Sequence, residues 1–152
     1  MTASDAEEEP DLGMLIGSLG RSLQKELFAR LAEQGHRQVR PRHGIVLAFL
    51  PPGGARATEL AQRSGQHKQI IGAIVDELVE LGYVRREPDP SDRRAKLIAP
   101  TQAGLDEISK ARAILAGIEH RHRDELGDDI YQAFKTTLAQ ITRTQRSWPQ
   151  QQ

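Results

Sequence analysis

The stretch "TELAQRSGQHKQIIGAIVDELVELGYVRREPDPSDRRAKLIAPTQAG", residues 58–104, decides the fold. Its opening belongs to a short helix expected over residues 57–63, ended by the tight turn Ser64-Gly65. In the segment that follows, Ile71, Ile74, Val75, Leu78 and Leu81 recur at helical spacing. Lys68, Gln69, Gly72 and Ala73 fall on the opposite face, and Gly82 closes the helix. "YVRR" then reads as a strand and "AKLIA" as its return. Between them, Pro88-Asp89-Pro90-Ser91-Asp92 is turn chemistry, since Asp followed by Pro favours the first two positions of a type I turn. A lone two-stranded hairpin is unstable in water, so this one must pack on the helices before it.

Working outward, Leu12, Leu15, Ile16, Leu19, Leu23, Leu27 and Leu31 mark a long amphipathic helix that ends near Gly35. Pro41 suits the first turn of a second helix, continued through "HGIVLAFL" and stopped by Pro51-Pro52-Gly53-Gly54. Beyond the hairpin, Thr101 is the expected N-cap of a fifth helix carrying Leu105, Ile108, Ala111, Leu115 and Ile118. A sixth carries Leu126, Ile130, Phe134, Leu138 and Ile141. The expected architecture is mainly α with a small β-hairpin wing. Residues 37–100 form a winged helix-turn-helix, and residues 11–36 and 101–146 contribute flanking dimerisation helices to a single domain at 11–146. Residues 1–10 read as a disordered acidic tail and residues 147–152 as a second tail.

The chain of 152 residues has no cysteine, which excludes disulfides and thiolate metal sites. Its net charge is zero, yet residues 37–96 carry eleven basic and seven acidic side chains, against three and seven in residues 1–36. No apolar run reaches membrane-spanning length and the N-terminus lacks a secretory pattern, so a cytoplasmic location without membrane contact is expected. No catalytic triad, phosphate-binding glycine loop or metal-ligand spacing is present, and neither enzymatic activity nor a cofactor is expected. His120 and His122 lie two apart, a spacing that turns them away from one another on a helix; no metal site is expected.

A helix of this size fits the DNA major groove, where its N-terminal side chains reach base edges. Here those are His67, Lys68 and Gln69, with Gly72 and Ala73 one turn on. Gln69 is the best base reader, since its amide can pair bidentately with adenine, and the bare Gly72 would let the helix sit close. The hairpin would be the wing, with Arg93 and Arg94 available to a narrow minor groove, where the potential is most negative. A flanking carboxylate can hold a guanidinium in place. One recognition helix reads few base pairs, whereas a two-fold dimer reads half-sites roughly 34–36 Å apart.

This block resembles the DNA-binding region of the MarR family of bacterial transcription regulators. The most specific part is "DPSDRRAKLIAPTQAG", which is similar to that family's D-x-x-D-x-R wing followed by a strand and a Thr-x-x-Gly helix start. The resemblance implies that Asp92 and Arg94 orient and insert a minor-groove arginine, with Arg93 and Lys96 alongside and Arg93 nearer the backbone. It implies a homodimer formed through the first helix and the last two, and binding to double-stranded DNA. It further implies ligand-responsive repression by a small-molecule effector, of which anionic aromatic compounds are one class. Leu31, His36, Arg40, Arg42 and His43 are its expected lining, and Arg40, Arg42 and His43 serve equally as phosphate contacts. Many members carry Ser or Thr, Thr and Arg where this chain has His67, Ile70 and Ala73. Ile70 is expected in the core, and Ala73 could touch a thymine methyl. The competing expectation is a winged-helix scaffold that contacts protein rather than DNA.

Overall fold

The computed structural model describes residues 9–148. Six helices and one hairpin follow in the order α1 (Leu12–Glu33), α2 (Pro41–Leu47), α3 (Ala57–Ser64), α4 (Lys68–Glu80), β1 (Val84–Asp89), β2 (Asp92–Pro100), α5 (Gln102–Leu126) and α6 (Asp128–Ser147). Two compact units meet within α5, at Ala111/Arg112. Tail expectations for residues 1–8 and 149–152 lie outside the described residues. Ser147, expected in the second tail, is the last residue of α6.

In the first unit the apolar face of α4 is the centre of the core. Ile71, Ile74, Val75 and Leu78 are buried and share one cluster with Val46, Leu47 and Leu50 around α2, Leu60 of α3, and Val84 and Ile98 of the hairpin. Phe28 of α1 and Ile108 of α5 join it. Asp11 caps α1 by accepting the Met14 N–H at 2.8 Å. The second helix stops three residues short of the expected Leu50. Two prolines follow, and the residue before a proline is pushed out of the helical region, so the chain leaves the helix early while Leu50 stays buried.

The hairpin is longer than "YVRR" and "AKLIA", and its turn shrinks to Pro90-Ser91. Pairing is regular from Val84↔Pro100 to Pro88↔Lys96 and then jumps to Asp89↔Asp92. Arg93, Arg94 and Ala95 therefore have no opposite number on β1 and bulge from the ladder at the tip. The hairpin is anchored by a pairing not visible in the local sequence: Ala55 and Ile98 exchange backbone hydrogen bonds of 2.9 and 2.8 Å. Gly54, at φ 84°, must be a glycine here, because a Cβ would stand 2.9 Å from the Ile98 carbonyl oxygen.

The Thr-x-x-Gly start of α5 has a mechanical basis. Thr101 Oγ1 accepts the Gly104 N–H at 3.2 Å and donates to the Gly82 carbonyl at 2.6 Å. A Cβ on Gly104 would fall 2.1 Å from the Tyr83 carbonyl oxygen, so only glycine lets α5 pass so close to the end of the recognition segment.

In the second unit, Ile114 and Ile118 of α5 and Tyr131 of α6 are buried. The Arg123 guanidinium lies 5.1 Å from the Tyr131 ring centroid, and Lys135 reaches Glu119 at 2.7 Å. The expected stripes differ from the buried positions. Leu115 is exposed while its neighbour Ile114 is buried, and Leu126 ends α5 because Gly127, at φ 87°, breaks the chain before α6. Ile130, Phe134 and Ile141 of α6 are exposed, as are Leu12, Leu15, Ile16 and Leu19 of α1. Among the described residues no helix is long and apolar enough to cross a membrane.

Candidate nucleic-acid interface

The turn between α3 and α4 rests on Gly65, whose φ of 71° supplies the left-handed C-cap of α3. Ser64 Oγ sits near the Gln66 amide at 3.4 Å, and His67 is the N-cap of α4 without a side-chain capping bond. His67, Lys68, Gln69 and Ala73 are exposed. Gly72 is half-buried, but a Cβ there would meet nothing within 4 Å and its backbone is not in the left-handed region. Nothing inside the chain therefore requires glycine at a mid-helix position, where it costs about 1 kcal/mol relative to alanine.

Ile70 departs from its expected core position: it is 42% exposed. Burial on α4 follows Ile71, Ile74, Val75 and Leu78, and one residue back along a helix is a 100° rotation, enough to carry Ile70 out of the core. It shares a line with Ala73 and Glu77, at i+3 and i+7.

The second half of α4 carries Asp76, Glu77 and Glu80, and the first two are neutralised from both sides. Glu77 receives Arg42 at 3.0 Å and His43 at 2.9 Å, both from α2. Asp76 pairs with Arg86 of the hairpin. Arg42 thus has a carboxylate partner already, and His43 is no free phosphate contact. The His43 ring is buried, its Nδ1 accepts the Arg40 N–H at 2.9 Å, and its remaining nitrogen therefore carries the hydrogen donated to Glu77. His36 is engaged in the same manner. It is buried, with Nδ1 2.8 Å from the Tyr83 hydroxyl and Nε2 2.8 Å from Asp106. Asp106 is held below the ordinary carboxylate range, first by Lys110 and then by His36, so it accepts the Nε2 hydrogen. Leu31 is fully buried, and Arg40 is exposed.

At the wing, the Asp92 carboxylate accepts the Arg94 backbone N–H at 3.0 Å and so sets the peptide that carries this arginine. Asp89, the other acid of the motif, is buried and serves the hairpin itself. Its Oδ1 accepts the Ser91 N–H at 2.9 Å and the Ser91 hydroxyl at 2.7 Å, and its Oδ2 accepts Arg56 Nε at 2.7 Å. These bonds, those from Ser91 foremost, hold Asp89 below its ordinary pKa. Arg56, at the N-cap of α3, clamps the wing to the helix-turn-helix; only this contact across 33 positions marks it out, and sequence reasoning missed it. Of the five basic residues in 85–97, Arg85 and Arg86 are tied to Glu87 and Asp76. Arg93, Arg94 and Lys96 are exposed and, among the described residues, have no ion-pair partner.

A short helix, a glycine turn, a second helix with an exposed N-terminal half and a basic hairpin clamped beside it define a winged helix-turn-helix module of the DNA-binding kind. The sequence profile described as "MarR family" matches residues 38–95. CouR from Rhodococcus jostii RHA1, solved bound to p-coumaroyl-CoA, is similar at 31% identity over 91% of this chain and 95% of its own, with a TM-score of 0.72. The repressor CouR bound to a 23-mer DNA duplex is similar at 26% identity over 93% of this chain and 99% of that one, with a TM-score of 0.73. The HTH-type transcriptional regulator YcgE of Bacillus subtilis (strain 168) is 41% identical over 56 residues, 37% of this chain and 36% of that protein's length. The chain belongs to the MarR family of DNA-binding transcription regulators.

Proposed function

We propose that this regulator is a homodimer that binds a pseudo-palindromic operator, with α4 in the major groove and the wing in the minor groove, and that it represses transcription until a small-molecule effector releases it. The observation that carries the reading is the distribution of unpaired charge. Of the three acids on α4, Asp76 and Glu77 are matched by Arg86 and Arg42, while Lys68, Arg93, Arg94 and Lys96 have no ion-pair partner among the described residues. A surface that pairs two of its three α4 acids and leaves four cations free suits a polyanion. His67, Lys68, Gln69, Gly72 and Ala73 are the base-side set, Arg94 the minor-groove residue, and Arg93 and Lys96 backbone contacts.

Exposed apolar side chains on α1 (Leu12, Leu15, Ile16) and α6 (Ile130, Phe134, Ile141) support dimerisation through the terminal helices. The likeness to CouR supports both DNA binding and an anionic, aromatic effector. Arg40, exposed on the approach to α2, is the cation offered to such a ligand. Selection of bound fragments from genomic DNA, followed by affinity measured across salt concentrations, tests the reading. A palindromic consensus and a steep linear fall of log affinity with log salt are expected. Absent or salt-indifferent binding would favour a protein-contacting scaffold. Release of the selected duplex by p-coumaroyl-CoA tests the effector class.

A further inference from the structure

We infer that Ile70 is a base-reading residue that recognises the 5-methyl group of a pyrimidine, so that each half-site contains a thymine whose methyl is required. The inference deepens the operator reading above and rests on it. An isoleucine 42% exposed two residues after Lys68 leaves apolar surface for something to cover. Its own chain does not: the core cluster of α4 is complete with Ile71, Ile74, Val75 and Leu78, and Ile70 belongs to neither that cluster nor its margin.

Its neighbours specify the occupant. Ala73, one turn on, is exposed and has only a methyl to offer, and Gly72 leaves open space. Glu77, next along the same line, is closed off by Arg42 and His43. Gln69, adjacent, is exposed and free to pair with a base edge. A protein partner would find a small apolar spot beside Lys68 and Gln69, poor in area for a stable interface. The DNA major groove offers the matching chemistry, because the thymine methyl is its one apolar feature and lies beside the adenine edge that a glutamine amide reads. The 5-methyl of 5-methylcytosine presents the same group, so binding would also respond to cytosine methylation at that position.

The test begins with the full-length protein and a random-sequence duplex library, which yields the preferred half-site. In the selected duplex, each thymine is then replaced in turn by deoxyuridine, which removes the methyl and nothing else. The wild type should lose about fourfold at one thymine per half-site, and on the order of fifteenfold when both are replaced, the effect of leaving one methyl unburied in each. Ile70→Ala should bind the thymine duplex more weakly and show no further loss with deoxyuridine. With a C·G pair at that position, 5-methylation of the cytosine should strengthen wild-type binding and leave Ile70→Ala binding unchanged. A wild type indifferent to every deoxyuridine substitution, or an Ile70→Ala protein that loses as much as the wild type, overturns the inference while leaving DNA binding intact. Failure to select any sequence would instead overturn the operator reading. Because Ile70 packs outside the core, an unchanged thermal unfolding curve for Ile70→Ala confirms that only recognition was altered.

Discussion

Glu107 provides a quantitative test of the packing around the start of α5. Its side chain is only 3% exposed, and Oε2 is buried without a hydrogen-bond partner among the described residues. Burial alone raises its carboxyl from an ordinary 4.5 to about 7. Between those values the folded chain holds a proton that the unfolded chain has lost, so stability falls as pH rises across the window and levels off above about 7. At about 1.4 kcal/mol for each pH unit of separation, the ionised carboxylate destabilises the fold by roughly 3 kcal/mol. Glu107→Gln keeps the shape and removes the charge. Near pH 5 the variant and the wild type should unfold at similar temperatures. Near pH 8.5 the variant should be the more stable by about 3 kcal/mol, or roughly 6–12 °C for a chain of this size. The assay is thermal unfolding followed by circular dichroism at one fixed protein concentration, because association also shifts the midpoint. A gap between the two proteins that does not change from pH 5 to pH 8.5 would refute the assignment of Glu107 as a buried, unpaired acid.

Other expectations concern the DNA face. Arg94→Ala should weaken binding to the selected duplex by about 1–3 kcal/mol and leave unfolding unchanged, whereas Arg93→Ala should mainly reduce the salt slope, by about one; the opposite pattern would reverse the two roles, and equal effects would abolish the distinction. Gly72→Ala should stabilise the protein by about 0.5–1 kcal/mol, since nothing blocks a Cβ, while reducing DNA affinity; unimpaired binding would show that the bases do not approach that position. Arg56→Ala should speed hydrogen exchange in the wing and weaken DNA binding without touching DNA itself. The Asp89 carboxylate lies below its ordinary pKa, so its contribution to that clamp is complete above 3.8 and disappears only as pH falls through the lowered folded value; wing protection lost already near neutral pH would exclude this clamp. Gln69→Ala should relax preference at one base position per half-site, read from repeated selection.

Helices, turns and hairpin were legible in residues 57–104 because each depends on neighbours along the chain. Apolar spacing along α4, the left-handed glycine at Gly65 and the Asp89-Pro90 turn are all decided within a few positions. The Thr101/Gly104 pair was legible as a pattern, and its reason, a carbonyl 2.1 Å from where a Cβ would stand, lies in the meeting of α5 with Tyr83. The exposure of the candidate site was legible: Lys68, Gln69, Arg93 and Arg94 are exposed where local patterning put them. What local patterning leaves open is which charges are already matched and which apolar side chains are already covered. Arg56 meets Asp89, Arg86 meets Asp76, and Arg42 and His43 converge on Glu77 from positions far apart in the chain. Those pairings give partners to two expected phosphate contacts and leave Lys68, Arg93, Arg94 and Lys96 without an ion-pair partner among the described residues. Ile70 turns outward for a similar reason: the packing of α4 against α2, α3 and the hairpin sets a buried arc through Ile71, Ile74, Val75 and Leu78, and Ile70 lies outside that arc. Periodicity is a property of the chain, but the direction that counts as inward is set only when the other elements close around it.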